Sequence, residues 1–137
     1  MKSASPSIVL TSNDVQRLEA MLESAQFRDH PGAASLHAEL ERARVVQPKE
    51  LPRDVVSMNS TAECVEEASG RTHSLTLVYP READAAQGRI SVLAPVGAAL
   101  LGMKVGQSID WPAPGGTLRL RVTAVHYQPE AAGEYHR

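Results

Sequence analysis

Apolar residues recur at helical spacing in the first third of the chain and at alternating spacing through most of the rest. Val15, Leu18, Leu22 and Ala25 follow at intervals of three, four and three, with Met21 beside the stripe. This is one face of an amphipathic helix. Thr11, Ser12, Asn13 and Asp14 place capping side chains just ahead of it. Residues 1–10 read as a loose lead. Ala33, Leu36, Leu40 and Ala43 repeat the same spacing, carrying a second helix to about Val46. Between them Gln26 to Gly32 breaks the period, with Pro31 and Gly32 as punctuation. The pattern predicts a short antiparallel helical hairpin, a small coiled coil. Arms of about 13 residues reach only ~20 Å and are marginal alone in water, so they must dock on something.

Gln47 to Arg53 (QPKELPR) holds two prolines and ends the second helix. The boundary falls here, dividing a hairpin unit at 1–47 from a sheet unit at 48–137. Val55, Val56 and Met58 form the first strand candidate. Ala62, Cys64 and Glu66 alternate with Glu63, Val65 and Glu67 in the second. After a turn at Ala68 to Arg71, a third strand sets His73, Leu75, Leu77 and Tyr79 against Thr72, Ser74, Thr76 and Val78, and Pro80 stops it. Arg81 to Gly88 reads as a polar loop or short helical turn.

The stretch Ile90 to Ile109 (ISVLAPVGAALLGMKVGQSI) organises this second unit. It predicts strand, short helix, turn and strand, with Pro95 at the first helical position and Gly102 as a left-handed cap. Pro112 to Gly116 is a turn. In the last strand Leu118, Leu120, Val122 and Ala124 oppose Arg119, Arg121 and Thr123, which predicts one buried and one solvated face. Pro129 to Arg137 reads as a frayed tail. The expected class is α+β: a helical hairpin followed by an antiparallel sheet packed on one short helix.

A chain of 137 residues suits one domain, or one with a small appendage. The net charge of −2 argues against a direct nucleic-acid grip, which needs clustered Lys and Arg. The apolar run at Ile8 to Leu10 is too short for a membrane span or signal peptide, so a cytoplasmic protein is expected. Cys64 is the single cysteine. It excludes an intramolecular disulfide and reads as a small buried hydrophobe. The five histidines show no metal-ligand spacing, and no cofactor is expected. Neither a nucleophile constellation nor a phosphate-binding glycine loop is visible.

The run from Asp54 to Tyr127 resembles the C-terminal domain of Gre-type transcript-cleavage factors. VVSMNS at 55–60, TLVYP at 76–80, PVGAALLGMKVGQSI at 95–109, PGG at 114–116 and VTAVHY at 122–127 carry the likeness in the right order. NDVQRLEAML at 13–22, LPRDVVSMNS at 51–60, LAPVGAALLG at 93–102 and YQPEAAGEY at 127–135 extend it to those members described as regulators of nucleoside diphosphate kinase. The resemblance implies an FKBP-like second unit and binding to RNA polymerase at its secondary channel. It also implies docking through the loop that leads into the central helix, here Leu93, Ala94, Pro95 and Val96. Leu93 and Val96 also read as core, and Pro95 as a helix start.

Two departures stand out. The helix-leading Ser-Pro of the cleavage factors is Ala94-Pro95 here. Their hairpin is longer and carries paired acids at its tip, whereas this tip offers Asp29, with Glu23 back on the first helix. The expectation is a monomeric, non-enzymatic regulator that competes with the cleavage factors without stimulating cleavage and affects nucleoside diphosphate kinase levels. Direct binding to nucleoside diphosphate kinase is one alternative. Prolyl isomerase activity is another, but it has only fold analogy behind it and an aromatic content of 4% against it.

Overall fold

The computed structural model describes residues 8–113 and 116–134. Strand β1 (Val9–Thr11) runs directly into helix α1 (Ser12–Glu23), and helix α2 (Ala33–Arg42) is followed after Ala43 by strand β2 (Arg44–Val46). β1 and β2 pair in parallel, Val9 opposite Arg44 and Thr11 opposite Val46. Two expectations are corrected here. Residues 8–10 are not loose, because the buried side chains of Ile8 and Leu10 anchor them. The Ile8 carbonyl also accepts from Arg44 N at 3.0 Å. The second helix stops at Arg42, where Val45 and Val46, stiff at χ1, continue as strand. Thr11 caps α1 by accepting from the Asp14 N–H at 3.1 Å.

Strands β3 (Thr61–Glu66), β4 (Thr72–Val78), β5 (Arg89–Ser91), β6 (Ser108–Ala113) and β7 (Gly116–Tyr127) form a curled sheet in the order β5-β4-β3-β7-β6. Its pairings are antiparallel except β4 with β5. The alternation holds in β3, where Ala62, Cys64 and Glu66 are buried, and in β7, where Leu120 and Val122 are buried while Arg119, Arg121 and Thr123 are exposed. In β4 the expected two faces merge at the end, with Leu77 and Val78 both buried. The turn expected at Pro112 to Gly116 has Pro114 and Gly115 outside the described residues; Ala113 and Gly116 pair across it.

The strand expected at Val55 to Met58 is instead a buried turn. Val55 makes one isolated bridge to Lys104. Ser57 N donates to Ser60 Oγ at 2.9 Å, and Asn59 takes a left-handed φ of 67°. A Ser side chain that bonds nearby backbone competes with a strand ladder, and Ser60 does so here. The frayed tail is also corrected for residues 129–134. Gln128 is buried, its Nε2 donating to the carbonyls of Pro52 and Val55 at 2.8 and 2.7 Å. Ser57 Oγ donates to Glu130 Oε1 at 2.6 Å, and Tyr127 Oη donates to Glu134. Residues 135–137 lie outside the described residues.

Helix α3 (Pro95–Leu100) sits against the sheet, and Gly102 follows it with φ of 80°. A Cβ on Gly102 would stand 2.6 Å from Ile8 Cβ, so this glycine serves both the left-handed turn and the approach of β1. Leu18 and Leu22 of α1 and Leu36 and Leu40 of α2 join Met58, Leu77, Leu93, Val96, Leu100 and Leu120 in one apolar cluster. Each such side chain contributes about 1.5–3 kcal/mol on burial. The helix pair therefore lies on the sheet unit from its base to its turn.

Candidate functional site

The loop into α3 is built by Ser91 at the end of β5. Leu93 N donates to Ser91 Oγ at 3.1 Å and Ala94 N to the Ser91 carbonyl at 3.0 Å. Val92 N donates to the Val78 carbonyl at 2.9 Å, tying the loop to β4. Leu93 and Val96 point into the core at 2% and 4% exposure. Ala94 is half-buried and Pro95 exposed. Of the four residues singled out from the sequence, two are thus anchors beneath the surface and two form the surface. Ala94 occupies the N-cap position of α3 with no side-chain hydrogen bond.

The helix-pair turn reaches this loop. A Cβ on Gly32, the N-cap of α2, would stand 2.0 Å from the Leu93 carbonyl oxygen, so only glycine permits the contact. Asp29 is exposed on the same turn. The turn is closed by its own backbone: Arg28 N donates to the Ser24 carbonyl at 2.9 Å and His30 N to that of Phe27 at 2.9 Å. His30 Nδ1 accepts from Gly32 N at 2.9 Å. No group of three or more His, Cys, Asp or Glu side chains converges among the described residues.

Sequence reasoning missed the joint between the helix pair and the sheet unit. Asp14 was assigned to the capping cluster, yet its side chain is 1% exposed and Oδ2 accepts from Met58 N at 3.0 Å. Burial is the main force on its pKa, raising it from 3.8 to about 6; the Met58 N–H opposes, Glu130 adds to the rise and Arg17 opposes it. Its place at i, i+4 and i+8 with Leu18 and Leu22 was the available signal. Burial likewise pushes the Tyr79 hydroxyl up to about 12, helped by Asp14 and opposed by Arg17. Cys64 is fully buried, as expected, and burial lifts its thiol to about 11.

Comparison with known proteins places this architecture. Residues 51–127 match the family model "Transcription elongation factor, GreA/GreB, C-term", and residues 6–46 match "Rnk N-terminus". The chain is 44% identical to the regulator of nucleoside diphosphate kinase of Escherichia coli strain K12 over 131 residues, covering 95% of this chain and 96% of that protein. The chain belongs to the Rnk group of the GreA/GreB family. It is 33% identical to the transcription elongation factor GreA of Rhodospirillum rubrum, over 88% of this chain and 98% of that one. The prokaryotic transcription elongation factor GreA/GreB from Nitrosomonas europaea superposes with a TM-score of 0.75 at 49% identity, covering 89% of this chain and 99% of that chain. These relatives of the Rnk-group chain carry the names of regulators and transcription factors, not of enzymes. Among the described residues no helix is long and apolar enough to cross a membrane.

Proposed function

We propose that the chain is an RNA polymerase-binding regulator that docks at the secondary channel and competes with transcript-cleavage factors, without cleavage activity of its own. Membership of the GreA/GreB family supports the polymerase as partner. Ala94 and Pro95 supply the contact surface, and Leu93 and Val96 hold that surface in shape from below.

The observation that carries the reading is the arm. At 12 and 10 residues, α1 and α2 extend roughly 18 and 15 Å, and their apolar faces are already used on the sheet unit. The turn carries one carboxylate, Asp29, against the paired acids that the family resemblance implies for a cleavage factor. A lone exposed carboxylate is a weak magnesium site, since that ion is usually held by carboxylates together with substrate phosphates.

The division after residue 47 falls between the two matched segments, 6–46 and 51–127. The proposal includes a monomer working in the cytoplasm without cofactor, metal or direct nucleic-acid contact. It also takes the sheet unit as FKBP-like and the helix pair as a shortened version of the family's coiled coil.

The test is polymerase pull-down by the tagged protein, repeated with excess cleavage factor, beside a cleavage assay on backtracked complexes. Binding that the competitor displaces, with no added cleavage, is expected. Absence of binding by the folded protein, or clear stimulation of cleavage, overturns the reading. The name of the Escherichia coli relative favours a second reading, direct binding to nucleoside diphosphate kinase; pull-down of purified kinase in the absence of polymerase distinguishes it.

A further inference from the structure

A groove of about 730 Å³ opens between the far half of α1 with its following turn and the single helical turn Pro80–Glu82 at the end of β4. It lies in the size range of small-molecule sites. Its walls combine three kinds of chemistry. Phe27, Met21 and Tyr79 supply flat or soft apolar surface, and the Phe27 ring is braced by His30, their centroids 6.5 Å apart. Arg17 and Arg81 supply two guanidiniums and Glu82 a carboxylate, with the buried Asp14 also within electrostatic reach of Arg17. The Tyr79 hydroxyl is shut off from solvent and makes no hydrogen bond of good geometry among the described residues, although the Arg17 guanidinium lies near it.

This set suits a planar ring joined to a hydroxylated and an anionic portion. Bases stack on aromatic side chains with little regard to sequence. A carboxylate suits ribose hydroxyls. Guanidinium forks match phosphate oxygens two at a time. We propose that the groove binds a free mononucleotide, with the base against Phe27, Met21 and Tyr79, the ribose facing Glu82, and the phosphates held by Arg17 and Arg81. Because one wall is the helix pair and the other the sheet unit, the bound nucleotide ties the two together. The proposal does not depend on the polymerase reading.

Isothermal titration of the full chain with ADP, adenosine and pyrophosphate tests it. ADP is expected to bind in the micromolar range, and adenosine and pyrophosphate each at least about tenfold more weakly, since each keeps only part of the contacts. Arg81→Ala removes an exposed side chain and should weaken ADP about tenfold or more, the scale of one lost charge-assisted bond. Phe27→Ala should weaken ADP and adenosine together but spare pyrophosphate. Circular dichroism checks that the Phe27 variant is folded, and Arg81→Ala stands alone if it is not. No binding at millimolar ADP, pyrophosphate or adenosine binding as tight as ADP, or an undiminished affinity in the folded variants overturns the proposal.

Discussion

At the scale of single residues, Asp14 decides most. Its carboxylate is buried at the joint, accepts from Met58 N at 3.0 Å and has a pKa raised to about 6 from 3.8. The folded state therefore holds this proton more tightly than the unfolded chain. Its contribution to stability is fully present below about pH 4 and is lost as pH rises to about 6. The size of that loss is on the order of 3 kcal/mol. Asp14→Asn keeps an acceptor for Met58 N and removes the buried charge. It should match the native protein near pH 4 and exceed it in melting temperature near pH 7, as thermal unfolding across that range will show. Comparing the two proteins also cancels Glu66, whose pKa is lowered by its hydrogen bonds to His73 and Ser69. Near pH 4, where the carboxyl is protonated in the folded state, Asp14→Ala leaves the Met58 N–H without a partner and should cost about 1–3 kcal/mol.

At the scale of elements, α3 is a six-residue helix whose N-cap, Ala94, offers no side-chain acceptor. Ala94→Ser supplies one and should stabilise by about 1 kcal/mol, raising the melting temperature by about 2–5 °C. This central helix was legible in the sequence because proline, alanine, leucine and glycine each favour one place in it. The three-residue strands β1 and β2 were not, because so short a segment has no measurable period. They exist through pairing with each other and through the burial of Ile8 and Leu10. The helix stripes were legible, but what they face was not. Leu36 is fully buried in the core shared with the sheet unit. Leu36→Ala should cost about 2–5 kcal/mol and leave one transition. In urea, Trp111 fluorescence and helical far-ultraviolet ellipticity should still coincide; separated midpoints would mean that the helix pair melts by itself.

At the scale of the whole molecule, the helix pair and the sheet unit share their interior. Asp14 meets Met58, Gly32 meets Leu93, and Gly102 meets Ile8. A fragment beginning at residue 48 would leave the Met58 N–H unpaired and uncover apolar surface around Leu93. It should be expressed largely insoluble, or bind a hydrophobic dye that the full chain does not, and a soluble fragment with a native-like melting temperature would refute the shared interior. Exposed pairs such as Arg119 with Asp110 at 3.1 Å should matter little, because solvent screens them. Of the proposed docking loop, the sequence showed the four residues and their likeness to a known pattern. It did not show that two are buried and two exposed, nor that the turn holding Gly32 lies on the loop's backbone.

Local signals are complete within a few residues, so the sequence by itself determined the two helix stripes, the alternation in β3 and β7, the helix start at Pro95 and the left-handed turn at Gly102. Contacts between distant segments are set by which surfaces remain to be buried once local structure has formed. Tertiary structure alone therefore decided that Ser57 to Ser60 turns instead of extending, that Gln128 binds Val55 and the tail binds Ser57, and that Asp14 is a buried acid at a joint. It also decided that the arm rests on the body, because two short helices gain too little from each other and must complete their burial against the sheet unit.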